Sequence, residues 1–386
     1  MVPVSYNLRN LAVRKTTTLA AALGLGLVVF VFASVMMLSN GIKKTMGRSA
    51  APDVAVILRK GSTAEIESQI EEQSINLALN DKSLPPPATG PRGVAEIVSV
   101  ILLQKVGADG MSNAQVRGVG DNALEFRPTV KLVAGRAART GTDEVMIGKA
   151  IRGRFQGLDL EQTFELKKNR PVKVVGVFED NGSSNESEIW ADLNTVRTAF
   201  RREGSVSVIR ARVEPSKYDA YKASIESNRQ LNMQVLKESE YYDKQSEGTA
   251  KFIGVMGIMI AVFFSFGAML GAMITMHAAV ANRQHEIGTL RALGFSKASI
   301  LFSFLIESIL LALLGGLIGA AASMAMGLVK FSMVNFASWS EIVFSFEPTP
   351  GIIIGGMIFA TVMGLLGGFF PAVRAARISP IDAMRA

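Results

Sequence analysis

The sequence predicts a membrane protein whose α-helical domain spans the bilayer four times, with a large mixed α/β extracytoplasmic domain inserted between spans 1 and 2. Three observations carry this. Four apolar, nearly uncharged stretches are each long enough to cross a bilayer, which takes about 20 residues. The block 41–250 between the first two has the composition of a soluble domain. Basic residues outside that block gather in three short segments. A hydrophobic content of 49% in 386 residues, with a positive mean hydropathy, exceeds what a soluble core of this size needs.

Residues 1–16 read as a cytosolic amphipathic segment and residues 17–40 as the first span. Arg9, Arg14 and Lys15 precede that span as an n-region precedes a signal peptide. Its apolar run is longer than the roughly 7–15 residues of a signal h-region, and no clear small-x-small cleavage site follows, so it is retained as a mature span.

The external domain, residues 41–250, alternates strand and helix signals. "DVAVILRK" is short and β-branched, and "STAEIESQIEEQ" places Ser62 three residues before Glu65, the capping-box spacing that predicts a helix there. The three prolines of "NDKSLPPPATGPRG" mark a loop. "VAEIVSVILLQK", "DEVMIG", "QTFELKK", "PVKVVGVFED" and "SVIRARV" follow as strands. A polar helix over about 216–229, the strand "MQVLK" and a charged helical stalk, "ESEYYDKQSEGTAK", lead into the second span. The expected division is a membrane-proximal subdomain (41–104 with 206–250) and a distal one (105–205). The acidic loop "EDNGSSNESE" at 179–188 reads as a solvated turn, because its carboxylates do not follow the alternation of an EF-hand.

Spans 2, 3 and 4 cover residues 251–281, 299–328 and 351–373. They are joined by a cytosolic segment at 282–298 and a short periplasmic loop at 329–350, and a cytosolic tail, 374–386, follows. Close helix approach is permitted by G-x-x-x-G spacings at Gly267/Gly271, Gly315/Gly319, Gly351/Gly355 and Gly364/Gly368. Packing within one subunit accounts for them at least as well as a dimer seam does. Glu307 lies about ten residues, or about 15 Å, into the third span. An acid at that depth faces protein or water, held by a hydrogen bond or by a basic residue near the inner face, in preference to a substrate or proton relay.

The net charge of +8 describes topology. Residues 41–250 hold 30 Lys and Arg against 28 Asp and Glu, and nine of the 11 remaining basic residues lie on one face: Arg9, Arg14, Lys15, Arg283, Arg291, Lys297, Arg374, Arg377 and Arg385. That asymmetry assigns both termini to the cytosol and the large domain to the outside, and it removes the reason to invoke nucleic acid. The chain has no cysteine, which excludes thiol chemistry and cysteine-bound metal. The two histidines, His277 and His285, read as packing or interfacial residues, and no zinc, serine-hydrolase or nucleotide motif occurs. No catalytic or metal site is expected, and the chain reads as a non-enzyme.

Between the second and third spans, "ANRQHEIGTLRALGFSKASI" gives a short helix with Ile287, Leu290 and Leu293 on one side, Gly294 as a left-handed C-cap and Ser296 as the next N-cap. By residue pattern alone it divides evenly between a helix resting on lipid and a docking helix for a cytosolic partner.

"RQHEIGTLRALGFSKASILFSFLIESILLALLGGLIG" with the terminal "PAVRAARISPIDAMRA" resembles the FtsX-type permease domain of MacB-like, or type VII, ABC transporters, and the order of spans and external domain matches throughout. The resemblance implies a bacterial inner-membrane permease acting by mechanotransmission, with a second permease copy (homodimer, or heterodimer with a paralogue) and a separate ABC ATPase subunit that supplies ATP and Mg. No cofactor is expected in this chain itself. It further implies that residues 282–298 hold the coupling helix, with Arg283, Glu286, Ile287, Leu290, Arg291, Leu293 and Gly294 as the ATPase contact set. The expected task is export from the periplasm or outer leaflet with a periplasmic adaptor and outer-membrane channel. Lipoprotein or lipid extraction and FtsX-like signalling to a cell-wall hydrolase are the alternatives, and a receptor or scaffold without an ATPase is the reading from a different class.

Overall fold

The computed structural model describes residues 9–379, apart from residues 12, 14, 87–89, 108 and 229. These form two compact units: a helical unit (up to Asn40, Lys251–Val329 and from Phe346 onward) and a sheet unit (Gly41–Ala250 with Lys330–Ser345).

Helix α1 (Lys15–Gly47) leads to β1 (Val54–Arg59), β2 (Ile70–Glu71) and α2 (Glu72–Leu79). The long pair β3 (Gly93–Gln104) and β4 (Met111–Val119) precedes the short α3 (Ala123–Phe126). Strands β5 (Lys131–Gly135), β6 (Glu144–Gly148), β7 (Thr163–Lys167), β8 (Arg170–Glu179) and β9 (Glu188–Asp192) then reach α4 (Leu193–Ala199). The chain continues through β10 (Ser205–Val206), β11 (Val208–Arg212), α5 (Tyr218–Ser227) and β12 (Met233–Lys237) into α6 (Glu238–Ala281). Helices α7 (Gln284–Ala292) and α8 (Lys297–Ala325), the hairpin β13 (Lys330–Val334) with β14 (Glu341–Ser345), and α9 (Pro350–Ala376) complete it.

Four of these helices, α1, α6, α8 with its short 3-10 extension, and α9, are long and apolar enough to cross a membrane. Small residues let them touch. A Cβ on Gly319 of α8 would lie 2.2 Å from the carbonyl oxygen of Gly26 on α1, and one on Gly315 would lie 2.5 Å from that of Ala22. Gly364 and Gly368 of α9 face Ala312 and Ser308 of α8 in the same way. Around Gly267 and Gly271 of α6 a Cβ would meet nothing within 4 Å, so that pair takes no part in packing among the described residues.

The sheet unit is built on a ten-stranded mixed sheet, ordered β12-β1-β11-β3-β4-β9-β6-β8-β5, with β7 paired to β8. β3 is the shared strand. Its first residues pair with β11 (Glu96 with Val208) and its remainder with β4 (Ile97 with Gly118), both antiparallel. The expected split into two subdomains at 104 and 206 is therefore crossed by one continuous ladder.

Two further expectations need correction. Residues 62–73 form a 3-10 turn (Glu65–Glu67), β2 and only then a helix. Glu65 is drawn into the interior by two arginines, so it cannot cap a helix at Ser62; Thr63 donates to Glu67 instead. The segment 329–350 is no plain loop either. Its β13–β14 hairpin buries Ile342, Val343 and Phe344 and belongs to the sheet unit, where the Val343 amide donates to Ser187 Oγ at 3.0 Å.

The close contact of α1 with α8 is testable. Gly319→Val forces its Cβ against the backbone of α1 and should cost about 1–3 kcal/mol, lowering the thermal midpoint of the detergent-solubilised protein. Gly267→Ala should leave the midpoint in place. Equal midpoints for wild type and Gly319→Val would contradict the packing.

Candidate functional site

Helix α7 is the centre of the predicted contact set. It is short because the chain turns at both ends: Arg283 precedes it in a non-helical conformation, and Gly294 follows at φ +95°, a left-handed value that favours glycine. The Gly294 amide donates to the Arg291 carbonyl, and Ser296 Oγ accepts from the Ser299 amide at 3.1 Å to start α8.

The predicted residues do not share one surface. Arg283 is buried: it donates to Glu307 at 2.9 Å and to Glu286 at 3.1 Å, and its guanidinium lies over the Phe304 ring at 5.1 Å. Glu307 is only 5% exposed, so this ion pair fastens the start of α7 to α8. Ile287 is buried against Met276, Val280, Ile300 and Phe304, with Leu290 half-buried at the edge of that cluster. The ridge expected to be free along Ile287, Leu290 and Leu293 is thus mostly spent inside the helical unit, because a two-turn helix tied at both ends must bury one face. Leu293 is 73% exposed, and Glu286 is exposed as well. Arg291 donates to the Phe295 carbonyl at 3.2 Å, bracing the turn around Gly294.

A second constellation was missed by pattern reasoning. Arg117 on β4 and Arg210 on β11 are fully buried in the sheet unit. Arg117 reaches Glu188 at 2.7 Å and both Glu65 and Glu96 at 2.9 Å. Arg210 reaches Glu96 at 2.6 Å, Glu238 at 2.8 Å and Glu65. Arg127 adds a further contact to Glu96 at 2.6 Å. Glu238 is the first residue of α6, and its other oxygen accepts from the Ala51 amide just before β1. The signal was present as charges set inside apolar strands: Glu96 in "VAEIVSV", Arg117 in "AQVRGV", and Arg210, two positions before a second arginine, in "SVIRARV".

Burial alone pushes the Glu96 carboxyl up, but Arg127, Arg210 and Arg117 outweigh it and bring its pKa down to about 2. Glu65 is lowered by the same contest between burial and the Arg117 and Arg210 guanidiniums. Burial lowers Arg117 and Arg210, and the surrounding carboxylates more than reverse it, raising both. Glu65, Glu96, Arg117 and Arg210 therefore stay charged near neutrality.

The 179–188 loop, expected to be a solvated turn, packs inward. Asp180, Ser183, Asn185 and Glu186 are buried, and Glu186 Oε1 accepts from the amides of Asp180 (2.8 Å) and Gly182 (2.7 Å). Asp180 accepts from Ser183 at 2.6 Å and Asn185 at 2.8 Å. Asp180 and Glu186 are occupied in closing the loop, while Glu179 pairs with Lys149 and Glu188 with Arg117.

Residues 16–228, over half of the chain, match the MacB-like periplasmic core domain, and residues 258–380 match the FtsX-like permease C-terminal domain. Macrolide export ATP-binding/permease protein MacB of Burkholderia lata is 29% identical over 290 residues, covering 70% of this chain and 41% of that protein. The protein of the same name from Escherichia coli (strain K12) is 29% identical over 227 residues, 56% of this chain and 34% of that one. The chain thus spans between a third and about two-fifths of the length of these curated relatives. Among solved structures, the periplasmic region of MacB from Actinobacillus actinomycetemcomitans aligns with a TM-score of 0.38 at 16% identity, covering 53% of this chain and 94% of that one.

The buried charge cluster makes two predictions. Arg210→Met removes the guanidinium that serves Glu65, Glu96 and Glu238 and should destabilise the sheet unit by about 3–5 kcal/mol, while Arg136→Met, at an exposed pair with Glu144, should leave it in place. Fluorescence of the buried Trp190 reports the transition, and a variant as stable as wild type would refute the role given to Arg210.

Acid provides the other. Because the Glu96 pKa is depressed from about 4.5 to about 2 on folding, its contribution is complete above about pH 4.5 and is lost as pH falls through that window, where the unfolded chain takes up the proton first. The loss should be on the order of 3 kcal/mol, and Glu96→Gln should flatten it. A wild-type stability that stays level between about pH 4.5 and 2 would contradict it.

Proposed function

Because this chain belongs to the MacB-like, FtsX-type permease family, we propose that it is the permease component of an ABC transporter, carrying ATP-driven motion from a cytosolic ATPase to the sheet unit on the periplasmic side of the inner membrane. In this reading both termini and α7 are cytosolic, two permease copies act together, and a periplasmic adaptor with an outer-membrane channel completes an export route from the periplasm or outer leaflet.

The observation that carries the reading is the fastening of α7. A docking helix transmits a push only if it cannot swing freely, and the Arg283–Glu307 pair, the buried Ile287 and the capped turn at Gly294 tie this one to α8. The contact offered to the ATPase is then the outer side, Glu286 and Leu293 with Gly294 between the helices. Arg283 and Ile287 support that surface from within.

At the other end, α6 runs unbroken from Glu238 to Ala281, and its first residue is held by Arg210. In this reading Glu238 is the point at which motion of α6 reaches the sheet unit. Motion passes along a stiff helix with an ion pair at each end, which needs no path for substrate through the bilayer.

Leu293→Asp tests the docking. The side chain is exposed, so the permease should fold normally, while an unpaired charge in a docked interface should weaken ATPase association about thirtyfold or more. Co-elution with the ATPase and permease-dependent ATP turnover are the readouts, and Lys297→Ala is the control. Wild-type co-elution and turnover for Leu293→Asp would overturn the assignment of α7 as the docking helix.

A further inference from the structure

Helices α6 and α9 converge and then separate. A Cβ on Gly367 of α9 would lie 3.2 Å from the Met269 carbonyl oxygen and 3.4 Å from Ala272 Cβ of α6, so the two backbones nearly touch there. One to two turns further toward the ends of both helices, a cleft of about 790 Å³ opens between them. Pro371 lies at this point of α9 and, having no N–H, cannot bond the carbonyl one turn back.

The cleft has two chemically distinct parts. Met273, Phe370 and Val373 form an apolar wall, with Phe370 61% exposed. Arg374, Arg377 and His277 line the remainder together with Ile378. Neither guanidinium has a hydrogen-bond or ion-pair partner among the described residues, so neither is engaged in capping the carbonyl end of α9. His277 Nδ1 is buried and likewise has no partner there. By contrast, the deeper Arg283 is paired twice over.

We propose that this cleft binds one anionic phospholipid of the surrounding leaflet, with the headgroup phosphate held by Arg374, Arg377 and His277 and an acyl chain lying along Met273 and Phe370. Charge and depth select this occupant. Two adjacent guanidiniums at the end of a spanning helix match a phosphate bidentately, and Leu270 and Leu366, about one turn before Met273 and Phe370 on the same two helices, are exposed. A free phosphate satisfies the first feature and leaves the apolar wall wet. The site seats a lipid between α6 and the last span, and the proposal holds whichever ATPase docks on α7.

The test uses the full-length protein in a neutral detergent. Added phosphatidylglycerol should raise the thermal midpoint, whereas phosphatidylcholine and millimolar inorganic phosphate should not. The double variant Arg374→Gln/Arg377→Gln should need about thirtyfold more phosphatidylglycerol for the same shift, while Lys43→Gln/Lys44→Gln at the far end of α1 should respond as wild type. Equal shifts with phosphatidylcholine, a full response in the double variant, or saturation by phosphate alone would each overturn the proposal, the last by identifying a free-anion site. Should the double variant fail to accumulate, native mass spectrometry of the wild type decides: preferential retention of phosphatidylglycerol supports the site, and equal retention of both lipids removes it.

Discussion

A guanidinium cannot be left uncompensated in a protein interior, and the sheet unit is arranged around two of them. Arg117 and Arg210 draw four carboxylates from separate parts of the chain: Glu65 from a turn, Glu96 from the shared strand, Glu188 from β9 and Glu238 from the start of α6. Such a cluster adds little net stability over an apolar core of equal volume, since desolvation offsets most of the attraction. What it adds is uniqueness, because each partner has one acceptable position. That requirement bends residues 62–71 away from helix and joins β4 to β9. It also fixes where α6 begins.

The helical unit meets the same constraint with fewer charges. Glu307, well inside a spanning helix, is tolerated because Arg283 reaches it from the turn before α7, and Phe304 covers the guanidinium. Elsewhere the spans are held by close backbone approach, with Gly315 and Gly319 against α1 and Gly364 and Gly368 against α8. The two ion pairs, Arg210–Glu238 and Arg283–Glu307, thus stand where α6 starts and just beyond where it ends.

Much of this was legible in the sequence. The four spans, the block between the first two and the helix after Ala281 follow from the length of apolar runs and from capping residues, which act within a few positions along the chain. The strands "DVAVILRK", "PVKVVGVFED" and "MQVLK" were readable for the same reason, because β-branched residues between turn signals are a local property. The hairpin at 330–345 carried strand residues too, yet its place in the sheet unit depends on Ser187, Gln245 and Arg154, which lie about 90 to 190 positions earlier.

By itself the sequence determined which segments are long and apolar enough to enter the bilayer, through energies summed over neighbouring residues, and the placement of Arg and Lys set the expectation of which ends face the cytosol. Only the tertiary structure decided which charges are buried, which face of α7 is free and how the loop at 179–188 spends its carboxylates. Arg283 and Arg291 look alike in "NRQHEIGTLRALG", but one pairs with an acid 24 positions away and the other braces its own turn. The cause is geometric. Burial and pairing depend on what the fold brings within about 3 Å, a distance that no local pattern encodes.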